Sequence, residues 1–152
     1  MAVKIKANQI KKIREETGAG VMEIKGALEE AKGSETKAKE ILAKKGLEKV
    51  AKRADKDTKE GQIYAYVHSG GRVAAMVKIL CETDFVSRSE EFQKLTKELT
   101  MQVASMDPKD IKDLLKQPYI RDAKKTVADL VNEMAAKCKE RITVKEIARM
   151  SL

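Results

Sequence analysis

Between Arg72 and Glu90 the spacing of apolar residues changes from every second position to about 3.6 residues. Val73, Ala75, Val77, Ile79 and Cys81 alternate, which puts all five on one face of a strand. From Glu90 onward Phe92, Leu95, Leu99 and Met106 fall near one stripe of a helix. A strand must therefore give way to a helix within a few residues, and both apolar faces need cover. The interval holds Cys81-Glu82-Thr83-Asp84-Phe85-Val86, a carboxylate beside one of only two phenylalanines. A junction between rigid elements can present side chains to a partner, which makes Asp84 and Phe85 functional candidates. The same pair also fits a first-turn charge followed by a core aromatic. Ser87 with Glu90 has capping-box spacing, so Asp84 is not needed as the cap.

Upstream, three short helices are expected. Asn8 is a candidate cap for a helix carrying Ile10 and Ile13 that ends at Thr17-Gly18. A second starts near Gly20-Val21, with Val21, Ile24, Leu28 and Ala31 as its buried stripe. Gly33 stops it and Ser34 caps a third, with Ala38, Ile41 and Leu42, which is expected to stop at Gly46. Leu47 to Glu60 reads as a solvated basic helix running into a linker. The domain boundary falls there: a helical domain with its basic linker helix over 1–54, then a core domain over 55–152.

The core domain opens with a hairpin. Ile63, Ala65 and Val67 alternate with Gln62, Tyr64, Tyr66 and His68, and Ser69-Gly70-Gly71 supplies the turn. Asp107-Pro108 marks the end of the long helix. Lys109 to Asp122 is expected to be irregular, anchored by Leu114-Leu115 and Tyr119-Ile120. Thr126 opens another helix with a stripe of Val127, Leu130, Val131, Met134 and Cys138. Arg141 to Met150 reads as a last strand whose alternation slips at Glu146-Ile147, a bulge signal. The class is α+β: a helical bundle, then a small antiparallel sheet ordered β-β-α-α-β with helices on one face.

Chemistry narrows the function by what is missing. His68 is the single histidine, and its place near a hairpin tip fits a surface residue better than a general base. There is no GxGxxG or Walker A pattern, and Cys81 and Cys138 have neither metal spacing nor a disulfide framework, so buried free thiols are expected. No catalysis, cofactor or metal is called for. No apolar run reaches the length of a membrane span, and Met1 to Lys6 lacks the apolar region of a secretory signal, so a cytoplasmic protein is expected. The net charge of +8 favours an acidic partner. The cluster Lys44, Lys45, Lys49, Lys52 and Arg53 raises a nucleic-acid-binding module as an alternative. Against it, aromatics are 3% of the chain and acidic residues interrupt the basic runs, so direct nucleic-acid binding is not expected.

Thr17-Gly18-Ala19-Gly20-Val21-Met22, followed by Lys25 and Ala27-Leu28, resembles the N-terminal signature of the elongation factor Ts family. Cys81-Glu82-Thr83-Asp84-Phe85-Val86, with Phe92 beyond it, resembles the family's central signature. Gly61, Leu114-Leu115-Lys116-Gln117-Pro118-Tyr119 and Thr126-Val127 match further family positions. The resemblance implies guanine-nucleotide exchange on the GTPase elongation factor Tu. It implies a ubiquitin-associated-like N-terminal domain that touches the GTPase through Arg14, Val21 and Met22; since Ile24 and Leu28 already supply the buried stripe, Met22 is the member of the last pair expected to be exposed. It assigns Thr83, Asp84, Phe85 and Val86 to displacement of the GTPase's magnesium ion, with Phe85 as a wedge and Asp84 supporting it. A paralogue that binds the GTPase without exchange is a further alternative.

Family members are usually longer, and here the segment after Pro108 is abbreviated. Short members resemble half of the long ones and tend to pair, which raises a homodimer with the sheet edge and Ile142, Val144 and Ile147 as candidate surfaces. Lys139-Glu140-Arg141-Ile142 stands where a glycine-led turn is common in the family, and Ile147 where an aromatic is common.

Overall fold

Two apolar clusters organise the chain, and each belongs to a stretch with its own hydrophobic period. The computed structural model describes residues 4–152; of the stretch tested for a secretory signal, residues 1–3 lie outside the described residues. The first cluster joins α1 (Ala7–Thr17), α2 (Val21–Glu30) and α3 (Glu35–Ala51). Ile13, Ile24, Ala27, Leu28, Ala38 and Leu42 form its centre. Val21 lies outside it at 43% exposure, and Ala27 takes the expected place in the stripe. Asn8 is already inside the first turn; Lys6 is the cap residue, and its N–H donates to Gln9 Oε1 at 3.1 Å. Gly18 closes α1 in the left-handed conformation, as glycine after a helix often does.

The third helix does not stop at Gly46. It runs on to Ala51, so the basic helix expected after residue 46 is largely its last turns. A glycine inside a helix costs only about 1 kcal/mol against alanine, which neighbouring turns can bear. Gly46 has a packing reason: a Cβ there would lie 2.9 Å from the Ala136 Cβ. The missing side chain lets α3 approach α7 (Val127–Cys138) closely.

The second cluster fills the space between a sheet and its helices. β1 (Glu60–Val67), β2 (Val73–Cys81) and β5 (Thr143–Ser151) pair antiparallel in the order β1-β2-β5. Gly70 and Gly71 take positive φ in the hairpin turn, where the Gly71 N–H donates to the His68 carbonyl. The alternating residues of β2 pack on α5 (Glu90–Met106), with Phe92, Leu99 and Val103 buried beneath them. Met106, expected in that stripe, is exposed at the helix end. Opposite Val77 and Ala75 on the same face stand Tyr64 and Tyr66 of β1, so Ile63, Ala65 and Val67 point away from the core.

This register turns the three candidate contact side chains toward the core. Val144 is buried, and Ile142 and Ile147 pack against the core. The reason is a bulge: Glu146 pairs with Lys78 but Val144 with Ile79, leaving Lys145 unpaired. The extra residue lets Val144 and Ile147, three apart, both face inward. The outer face carries Ile63, Val67, Met76 and Met150, all exposed.

The region after Pro108 is ordered instead of irregular. Asp110 caps α6 (Ile111–Lys116) by accepting from the Asp113 N–H at 2.7 Å. β3 (Pro118–Tyr119) and β4 (Asp122–Thr126) follow as a small hairpin. The buried Gln102 side chain holds it, donating to the Pro118 carbonyl at 3.0 Å and accepting from the Ile120 N–H at 2.9 Å. Leu114 is a fully buried anchor, whereas Ile120 is exposed.

The two clusters meet where α3 packs on α7. There Glu23 pairs with Lys49 and, at 3.5 Å, with Lys139, and accepts from the Gly20 N–H at 3.0 Å. The Lys49 hydrogen bond, the Gly20 N–H and the nearby Lys139 charge hold its carboxyl at about 2.

Candidate functional site

The junction after β2 folds as a separate turn of helix, α4 (Asp84–Ser87). Its cap is Thr83, whose hydroxyl accepts from the Val86 N–H at 3.3 Å. The next helix has its own cap: Ser89 accepts from the Phe92 N–H at 3.3 Å, replacing the expected Ser87–Glu90 pairing. Ser87 is buried and donates to the Asp84 carbonyl instead.

Within this turn the four candidate residues divide. Val86 is buried in the core. Phe85 is 84% exposed. Phe92, the other phenylalanine, is fully buried. Asp84 is also exposed, and its carboxylate lies 3.3 Å from Arg88 one turn on. An exposed benzyl group thus stands on a backbone pinned by a buried valine on one side and a capped junction on the other.

Polar contacts hold the approach to this turn. The side chain of Glu82 is buried and forms a two-pronged ion pair with Arg53, while accepting from the Arg141 N–H at 2.7 Å. Its carboxyl is held below the usual range, chiefly by the Arg53 hydrogen bond. The Glu140 carboxylate accepts from the Glu82 N–H at 3.0 Å, the Thr83 N–H at 3.1 Å and the Thr83 hydroxyl at 2.6 Å. The Cys81 thiol donates to the Thr83 carbonyl at 3.2 Å. Burial pushes that thiol up to about 11, which makes it a poor nucleophile at neutral pH. The second thiol, Cys138, is partly buried, and both are free.

Arg14 lies in the last turn of α1, and Val21 and Met22 open α2. The Arg14 carbonyl accepts the Gly18 N–H that closes α1, and its side chain is exposed. Met22 is 75% exposed and lines a cleft of about 970 Å³ between the helical bundle and the α5–α7 layer. Phe85 is not among the residues of that cleft. Three candidate apolar residues are thus exposed: Val21 and Met22 at the start of α2, and Phe85 in α4. The contacts of Glu82 and Glu140 were not singled out from the sequence. Their partners lie 29 and 57 or more residues away, beyond any local spacing rule.

Of the basic cluster, Lys45 pairs with Glu30, Lys49 with Glu23 and Arg53 with Glu82. Three of its five cations are thus partly neutralised, which weakens a polyanion surface. Among the described residues no helix is long and apolar enough to cross a membrane, and no group of three or more His, Cys, Asp or Glu side chains could hold a metal ion.

Comparison with known proteins bears on what this arrangement serves. A family model described as Elongation factor TS matches residues 82–152, the stretch from Glu82 through β5 to Leu152. Elongation factor Ts of Caldanaerobacter subterraneus subsp. tengcongensis is 38% identical over 190 aligned positions, covering 95% of this chain and 95% of its own. The protein of the same name from Nitratidesulfovibrio vulgaris is 38% identical over 193 positions, covering 97% of this chain and 96% of its own. That of Oleidesulfovibrio alaskensis is 37% identical over 193 positions, covering 97% and 98%. With such similarity along nearly the whole length, helical bundle included, the chain belongs to the elongation factor Ts family of translation elongation factors.

Proposed function

We propose that this chain is a cytoplasmic guanine-nucleotide exchange factor that binds elongation factor Tu and promotes GDP release by dislodging the GTPase's magnesium ion. The observation that carries the reading is the 84% exposure of Phe85 on a capped, anchored turn beside the exposed Asp84. Leaving a phenylalanine in water forfeits roughly 2–3 kcal/mol that a partner's pocket would return. The acidic neighbour supplies charge near the partner's cation. Arg14, Val21 and Met22 offer a second contact from the helical bundle.

Such a factor needs no bond-making chemistry of its own. A partner that binds the nucleotide-free GTPase more tightly than the GDP form must weaken GDP by the same factor. Loss of magnesium removes the positive charge that clamps the phosphates. The inserted ring favours the open form only through contacts absent from the closed one.

The test is stopped-flow release of labelled GDP from purified elongation factor Tu. Wild-type protein should accelerate release strongly, and Phe85→Ala should lose about tenfold or more of that acceleration, one factor of ten for each ~1.4 kcal/mol of differential contact. Tight binding without acceleration by the wild type would instead identify a non-exchanging paralogue. Sub-micromolar RNA binding that falls steeply with salt would favour the nucleic-acid module.

The reading extends to a homodimer. Ile63, Val67, Met76 and Met150 on the outer face of the sheet form an exposed apolar surface that a second copy would cover. Sedimentation equilibrium should give a dimer, and Met76→Lys should shift it to monomer. A wild-type protein that stays monomeric at tens of micromolar would remove this extension.

A further inference from the structure

The residues that follow α7 touch both candidate contact segments. Lys139, held at positive φ, pairs with Glu23, which is next to Met22. Glu140, the next residue, accepts three hydrogen bonds from the backbone and side chain just before Asp84 and Phe85. The Thr83 hydroxyl donates to Glu140 at 2.6 Å and accepts from the Val86 N–H at 3.3 Å, so one side chain carries the hold of Glu140 into the helical turn. Two N–H groups and a hydroxyl converging on one carboxylate make charge-assisted bonds, stronger than neutral ones. Nothing else bonds the Glu82 and Thr83 N–H groups among the described residues.

We propose that Glu140 is a positioning residue for nucleotide exchange: it fixes the direction in which Phe85 leaves the protein surface, acting through Thr83. The inference rests on the exchange reading above. Glu140 does not need to touch the partner. Without its carboxylate the Glu82 and Thr83 N–H groups lose their acceptor, Thr83 turns more freely, and the turn carrying Phe85 samples several orientations. Binding must then select the competent one, which lowers the effective population of the wedge.

The experiment has two arms. In the free protein, amide hydrogen exchange at Glu82 and Thr83 should quicken at least about tenfold in Glu140→Ala, while Leu99 in the buried helix keeps its protection. In the presence of elongation factor Tu, Glu140→Ala should cut maximal GDP release by about tenfold, and Glu140→Gln, which retains an acceptor oxygen for both N–H groups, should restore most of it. In a Phe85→Ala background the Glu140→Ala change should cost nothing further, because the group it aims is gone. Wild-type release rates in Glu140→Ala, or an equal loss with and without Phe85, would overturn the proposal. So would unchanged exchange of the two amides. If Phe85→Ala alone leaves release intact, the wedge reading fails, and the amide arm still decides whether Glu140 holds Thr83.

Discussion

A methyl group at position 46 would lie 2.9 Å from the Ala136 Cβ and 3.2 Å from its Cα, closer than packed carbons approach. At Gly26, inside α2, a Cβ would meet nothing within 4 Å. The two glycines therefore predict opposite outcomes for one substitution. Gly26→Ala should stabilise the protein by about 0.5–1 kcal/mol through helix propensity. Gly46→Ala gains the same propensity but forces α3 away from α7, and should lose about 1–2 kcal/mol net. Urea unfolding midpoints read both, and a stabilised Gly46→Ala would mean that the helix contact gives way without cost. In the sequence Gly46 looks like a helix stop, because glycine after an apolar stripe usually is one. Only its distant neighbour, 90 residues later at Ala136, shows why it is there. The phenylalanines differ in the same way. Phe92 sits on a helical stripe and was legible as core. Phe85 falls between two periods, where no pattern says which way a side chain points, so its exposure had to come from the fold.

Among the elements, long periodic ones were readable and short ones were not. β2, α5 and α7 lie where alternation and the helical stripe put them, and Thr126 caps α7 as expected. α4 has four residues and β3 two, too few for a period to repeat. The expected Ser87–Glu90 capping box missed α4 for that reason: one interval holds two helix starts, capped by Thr83 and Ser89. The segment after Pro108 owes its order to Gln102, a polar side chain in the middle of a helix, which bonds the Pro118 carbonyl and the Ile120 N–H. Spacing rules treat glutamine as surface, because they hold no term for a partner sixteen or eighteen residues away. The slip in the last strand was legible, but its place was not. Lys145, and not the Glu146-Ile147 step, is the unpaired residue, because Val144 and Ile147 both find cover inside.

Across the molecule, one carboxylate ties the helical bundle to the core. Glu23, in the first turn of α2, pairs with Lys49 of α3 and reaches Lys139 beyond α7. Its carboxyl sits at about 2, down from the usual 4.5. A lowered folded-state value means stability that is complete above the unfolded value and is lost as pH falls through the folded one. Stability should therefore decline between about pH 4.5 and pH 2 as Glu23 takes up its proton. Glu23→Gln should flatten that part of the profile in urea unfolding at pH 6 and pH 3, by less than about 1 kcal/mol because the side chain is partly solvated. An identical pH slope in wild type and variant would rule the link out. The sequence by itself determined the periods, the glycine stops before α2 and α3, and the α+β class. These depend on residues within a turn or two of each other, where backbone geometry alone sets the relation. Tertiary structure decided which face of the sheet is dry, which phenylalanine meets water, why Gly46 is small and what holds Thr83. Each of those depends on packing and hydrogen bonds between segments far apart along the chain, and no local pattern encodes which distant group will arrive.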